Sequence, residues 1–196
     1  TTDVDLLGNA SNPMLYQKYT TNGTPADESD DFVAFRFRVD GKTNTSWTSA
    51  VLIGIDGNRD GKLDIFVVAD GTSHQEVALY DAGSSSNTSP ATTSLSNSPV
   101  SHLDFNSTYT NYNLKQAGTD LDGNGIADQF VSFQLPFSWI KDALAAQEIS
   151  VTKDSSVNYV VLSSQQTNAI NGDFGGIDDK NSNYALTYSQ LGILQT

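Results

Sequence analysis

The sequence predicts an all-β protein, a single β-sandwich or jelly-roll domain over residues 1–196 with one short helix and two nine-residue calcium loops. Three observations lead there. Apolar residues alternate with polar ones at the period of two that half-buried strands require. Strand-like runs recur roughly every ten to fifteen residues with turn-forming Gly, Asn, Asp and Ser between them, the rhythm of sandwiches. Two of the intervening connections carry the same acidic pattern. A chain of 196 residues suits one sizeable core.

The clearest alternation is FVAFRFRVD, Phe32 to Asp40. It sets Val33, Phe35, Phe37 and Val39 on one face and Ala34, Arg36 and Arg38 on the other. SAVLIGID (Ser49 to Asp56) and LDIFVVAD (Leu63 to Asp70) flank the first acidic connection as adjacent strands. HQEVALYD follows Asp70-Gly71, a pair expected to make a tight hairpin turn. Ala82 to Pro99 is a Ser/Thr/Asn-rich stretch expected to be a long surface loop. It contains Asn87-Thr-Ser, one of five glycosylation-type triplets with those at Asn9, Asn22, Asn44 and Asn106. Such triplets also arise by chance in a chain of this composition. Further strands are expected in STYTNYNLK, DQFVSFQLP, EISVTK, VNYVVLSS and YALTYS. The helix is expected over Pro136 to Gln147, where Pro-x-Ser opens a run with Trp139, Ile140, Ala143 and Leu144 at helical spacing.

Composition narrows the function. The net charge is -13, with ten basic residues against 23 acidic ones. Nucleic acid is excluded as a partner, because phosphate binding needs a basic surface. No apolar run approaches the length of a membrane-spanning helix. There is no cysteine, so no disulfide stiffens the fold, and metal ions are the natural substitute. Low charge content with abundant Asn, Ser and Thr is that of an extracellular protein, and TTDVDLLGNA is expected to be a mature N-terminus exposed by signal removal.

The two acidic connections align. Asp56, Asn58, Asp60, Gly61 and Asp64 match Asp120, Asp122, Asn124, Gly125 and Asp128. Side-chain oxygens fall at positions 1, 3, 5 and 9 and glycine at position 6. A chain winding around a cation turns alternate side chains inward, and glycine permits the reversal after position 5. Position 7, Lys62 or Ile126, would give its backbone carbonyl, which leaves its side chain free to vary. All donors are hard oxygens, the ligands of Ca²⁺ rather than of zinc or copper. Position 12 is Val67 or Val131 where an EF-hand has glutamate. The loops therefore resemble the shorter calcium loops of dockerin-like, thrombospondin-like and integrin-propeller repeats. Five oxygens do not fill a calcium shell of six to eight. Asp30, Asp31, Asp173, Asp178 and Asp179, in two further acidic patches, are the candidates to complete it.

The order of DDFVAFRFRVDG, Trp47, VLIGIDGNRDGKLDIFVVAD, GNGIADQFVSFQLPFSWI and NAINGDFGG resembles a class of secreted bacterial surface proteins, many of them sorted by exosortase-type signals. That resemblance implies an exported, β-rich protein of a class with no known catalysis. The ending YSQLGILQT, without membrane tail or basic anchor, sets the expectation of release or assembly outside the cell.

Catalysis is not expected. His74 and His102 stand in no recognisable catalytic pattern, and no nucleophile-elbow, zinc-protease or phosphate-loop motif occurs. The sequence favours a calcium-stabilised, self-assembling subunit of an extracellular filament, tubule or matrix. Its uncharged, β-prone tail or its N-terminal DVDLLGN would complete a neighbour's sheet. The alternative is that both ends pair within their own sandwich. A rival function is a calcium-stabilised carbohydrate-binding or adhesin module, with Trp47, Tyr109 and Tyr112 as a sugar-stacking strip.

Overall fold

A computed structural model describes residues 5–40, 48–72, 74–105, 113–167, 170, 172–177 and 184–196. Two antiparallel sheets stack as a sandwich, as the alternation predicts. The first has four strands in the order β1 (Leu15–Thr20), β2 (Phe32–Val39), β8 (Gln129–Pro136), β7 (Asn113–Gln116). The second has five, in the order β6 (Ser101–Asp104), β5 (Glu76–Asp81), β4 (Ile65–Asp70), β3 (Ala50–Asp56), β9 (Asn158–Ser164).

Register fixes which side chains meet. Phe35 faces Phe133 and Phe37 faces Val131 across β2 and β8. These odd-numbered residues point inward onto Ile53, Val67, Leu79 and Val161 of the other sheet. The five-stranded sheet has a second apolar layer on its outer face. Leu52, Phe66, Val68, Tyr80 and Leu162 pack there beneath Leu63, Leu95, Phe174, Tyr188 and Ile193. Because both faces are covered, every residue of β3 and β4 is buried, which is why their sequences read as unbroken apolar runs.

Helix α1 (Phe137–Ala145) continues directly from β8 and inserts Phe137, Ile140, Ala143 and Leu144 into the main core. Trp139 is part-buried against the same core. The expected strand at EISVTK is absent. Val151 is buried in the core, but Thr152 to Ser155 close a turn through the Ser155 N–H donating to the Thr152 carbonyl at 3.0 Å. The β4–β5 connection also differs from a two-residue Asp-Gly turn, since five residues, Gly71 to Gln75, separate the strands.

Nor is YALTYS a strand. The Thr187 side chain accepts from the Gln190 N–H at 3.2 Å and the Gln190 side chain accepts from the Thr187 N–H at 2.9 Å, starting the helical turn α2 (Tyr188–Leu191). Past that turn, Gln195 and Tyr159 exchange two backbone hydrogen bonds of 2.9 Å, so the tail lies along β9 of its own sheet. At the other end Leu6 bridges to Val39 and is 2% exposed.

The Ser/Thr/Asn-rich stretch is not a loose loop. Asn87 is fully buried, donates its amide to the carbonyls of Gly83 and Ser85, and accepts from the Ser94 N–H. An amide so engaged has no space for a sugar. Its backbone carbonyl in turn accepts from the Leu63 N–H at 3.0 Å, which ties this segment to the first acidic connection.

Candidate metal centres

Each acidic connection is the turn of a β-hairpin. Asp56 ends β3 and Asp64 immediately precedes β4, whereas Asp120 to Asp128 join β7 to β8. The two turns lie at opposite ends of the sandwich. The first abuts α1, and the second precedes β8, whose far end runs into α1 roughly 25 Å away for an eight-residue strand.

Inside the turns the same atoms do the same work. The position 1 carboxylate accepts from the position 6 N–H, at 2.9 Å for Asp56 and Gly61 and 2.8 Å for Asp120 and Gly125. It also accepts from the position 5 N–H, at 3.1 Å from Asp60 and 3.2 Å from Asn124. The position 3 oxygen takes the position 5 N–H as well, at 3.1 Å for Asn58 and 3.3 Å for Asp122. The position 5 oxygen accepts from position 7, at 2.9 Å from Lys62 and 2.8 Å from Ile126. Finally, position 9 closes the ring by accepting from position 2, at 2.9 Å for Asp64 and Gly57 and 3.1 Å for Asp128 and Leu121.

Backbone conformation repeats too. Positions 4 and 6 are left-handed in both turns, with φ of 64° at Arg59 and 89° at Gly61, and 74° at Gly123 and 86° at Gly125. These bonds line up four oxygen-bearing side chains along each turn, and among the described residues only the second turn brings three carboxylates into one cluster. In the second turn ligand atoms of Asp120, Asp122 and Asp128 all lie within 4.8 Å of one another.

The surroundings differ. In the first turn Asp56 and Asp64 are buried, Asn158 donates to Asp56 at 3.2 Å, and Gln147 donates to the Asp64 carbonyl at 3.1 Å. Burial pushes the Asp64 carboxyl up, and repulsion from Asp56 and Asp60 adds to this against the pull of the Gly57 N–H. A side chain at Gly57 would meet Leu144 at 2.9 Å and Ile149 at 3.1 Å, so glycine there lets the turn close onto α1.

The second turn is more open, with Asp120, Asp122 and Asn124 exposed. Hydrogen bonds from Gly125 and its neighbours hold the Asp120 carboxyl down. The Asp122 carboxyl is raised, by desolvation first and then by Asp120 and Asp40. Asp128 is fully buried and meets Arg38 Nη1 at 3.0 Å, while the Thr119 hydroxyl donates to the same oxygen at 3.1 Å.

Asp40, which the spacing of the repeat does not reveal, accepts from the Asn124 side chain at 2.8 Å and so belongs to the second turn. Its position just past β2, whose last residue pairs with Gln129 beside Asp128, is what brings it there. The other described acidic candidates bond elsewhere in the fold. Asp30 accepts from Thr24. Asp31 is buried and accepts from the Tyr19 hydroxyl and the Asn22 N–H. Asp173 accepts from the Leu6 N–H at 2.8 Å and so pins the N-terminal segment. Asp178 and Asp179 lie outside the described residues, as do Trp47, Tyr109 and Tyr112.

Comparison of the chain with protein families, characterised proteins and solved structures finds no match. The chemistry of the turns therefore rests on their own geometry.

Proposed function

We propose that this chain is a non-catalytic structural protein of the extracellular space or cell surface, stabilised by Ca²⁺ at both hairpin turns and assembling with copies of itself. The observation that carries the reading is the duplicated turn: two unrelated stretches of the fold wire four side-chain oxygens in the same way. Asp56, Asn58, Asp60 and Asp64 would hold one ion, with the Lys62 carbonyl as a further donor. Asp120, Asp122, Asn124 and Asp128 would hold the other, with the Ile126 carbonyl and nearby Asp40. A net charge of -13 opposes both compactness and self-association, and two divalent ions would lower it to about -9. Folding and assembly would thus follow the rise in calcium that accompanies export.

No described helix is long and apolar enough to cross a membrane. A second reading, a calcium-stabilised carbohydrate-binding or adhesin module, is favoured by the outer face of the four-stranded sheet, where an exposed tyrosine lies among cations and amides.

Calorimetric titration of the chelated protein with Ca²⁺, paired with light scattering, separates the parts of the proposal. Two equivalents bound, a raised melting temperature and growth to large particles are expected. Absence of binding heat with an unchanged melt would overturn the calcium assignment. Two ions bound by a persistent monomer would overturn self-assembly and leave calcium as a folding ligand.

A further inference from the structure

The four-stranded sheet is chemically unlike the rest of this acidic molecule. Its strands contain Lys18, Arg36, Arg38 and Lys115 and no Asp or Glu, although the chain has 23 acidic residues. Register places all four cations on the outward face, since the odd-numbered residues of β2 and β8 fill the core. Arg38 and Lys115 both sit opposite Phe130, Arg36 lies between Tyr16 and Ser132, and Lys18 is opposite Ala34.

Arg38 is committed to Asp128. Lys18, Arg36 and Lys115 take part in none of the ion pairs among the described residues. Arg36 is nonetheless held in place, donating Nε to the Ser132 hydroxyl at 2.9 Å with its guanidinium 5.2 Å from the centre of the Phe130 ring. Tyr16 stands edge-on to Phe130 at 5.9 Å and keeps 39% of its surface exposed. A groove of about 340 Å³ runs over this face, lined by Tyr16, Lys18, Arg36, Ser132 and Gln134 among others.

We infer that this face binds an acidic polysaccharide, with uronate carboxylates paired to Lys18, Arg36 and Lys115 and a sugar ring laid against Tyr16. Charge complementarity selects an anion. Strand and residue spacings put Lys115 and Lys18 about 20 Å apart, too far for one small anion and suited to a chain of repeating acidic units. Between the cations lie a hydroxyl, an amide and an aromatic ring, which match sugar hydroxyls and a sugar's apolar face. A densely charged polyanion such as nucleic acid is disfavoured, because the remainder of the molecule repels it. The inference supplies the ligand class for the carbohydrate-binding reading and rests on it; it does not depend on either turn holding calcium.

The test is calorimetry of the protein dialysed free of excess divalent cation, with hyaluronan and oligogalacturonate decasaccharides, and with a maltodextrin of equal length as neutral counterpart. Sedimentation is run in parallel. Wild type should bind at least one of the acidic oligosaccharides at least tenfold more tightly than the neutral one. The exposed double variant Lys18→Glu/Lys115→Glu should keep its melting temperature and lose at least tenfold in that affinity. Tyr16→Ala should lose several-fold even at high salt, where charge attraction is screened.

Undiminished binding by the double variant would overturn the assignment of the face. Preference for the neutral oligosaccharide would overturn the acidic class while keeping the carbohydrate-binding reading. Binding to none of the three would overturn both. A wild-type dimer that the double variant converts to monomer would give the face to a second copy of the chain and overturn the inference.

Discussion

The two hairpin turns use one wiring diagram under different electrostatic conditions. In both, the position 1 carboxylate organises the backbone of positions 5 and 6, and the position 9 carboxylate closes the ring from the strand that follows. The second turn carries its own counter-ion, for Arg38 reaches buried Asp128 with both side chains withdrawn from water. In the first, buried Asp56 and Asp64 receive neutral donors, and neither enters an ion pair among the described residues. Local hydrogen bonding can therefore hold acidic side chains in place, but it does not neutralise their charge. On the proposed calcium reading, the dependence on the ion should concentrate in the first turn, which is also the one welded to α1 and to the Asn87 segment.

The largest effect should come from removing the internal counter-ion. Arg38→Met leaves Asp128 buried and unpaired, which costs about 3–5 kcal/mol when one partner of a buried pair is deleted. Denaturant melts in chelator should show that loss, and saturating Ca²⁺ should recover much of it by taking over the charge. An equal loss with and without calcium would mean that the second turn does not take up the ion.

Next comes the position 1 carboxylate. Asp56→Ala removes a charged acceptor of two backbone N–H groups and of the Asn158 amide, a loss of roughly 3 kcal/mol in chelator at about 1.5 per bond to the backbone. Asp120→Ala should change the chelated melt much less, because Asp120 is exposed and water can replace it. Each should abolish one equivalent of calcium in a calorimetric titration. Equal losses of stability in chelator would erase the distinction drawn between the turns.

A smaller effect is expected at position 6. Gly61 and Gly125 have open space where a Cβ would go but φ near +90°, so alanine is strained by backbone conformation alone, at about 1 kcal/mol or more. Chelated melts of Gly61→Ala and Gly125→Ala should fall by similar amounts. A much larger fall for Gly61→Ala would show that its neighbours in the fold, rather than the turn itself, resist the change.

The turns were legible in the sequence because their pattern is local: each bond joins residues no more than seven apart. The long alternating and apolar strands were legible for the same reason. What escaped depends on distant partners. Arg38 reads as one polar residue of an alternating strand, and its role emerges from the register of β2 against β8. Asn158 enters the first turn by pairing with Asp56 across β3 and β9. Strand β1, LYQKYT, shows no clear alternation because its inward residues, Leu15, Gln17 and Tyr19, are mixed in polarity. One miss was avoidable: Thr187-x-x-Gln190 followed by Gly192 is a capping box with a left-handed helix end, and it overrides the β-prone composition of the tail.

The smallest expected effect tests whether the first turn depends on the apolar layer beneath it. Leu63, inside that turn, packs in the same layer as Tyr80 and Tyr188. Burial, reinforced by Glu76 and Asp70, pushes the Tyr80 hydroxyl up to about 12, and burial raises that of Tyr188 as well. A tyrosine whose folded pKa exceeds its unfolded one keeps the folded chain protonated longer. Its stabilising contribution is complete below about pH 10 and is lost as pH rises toward 12. Among the described residues, no tyrosine hydrogen-bonds to the second turn. Calcium titrations at pH 9 and pH 11 should therefore show the first site weakening and the second holding, with Asp120→Ala and Asp56→Ala isolating each in turn. Tyr80→Phe, which has no hydroxyl to ionise, should blunt the alkaline loss at the first site. Parallel weakening of both sites would place the alkaline transition in the whole sandwich and remove any special coupling between the first turn and its apolar bed.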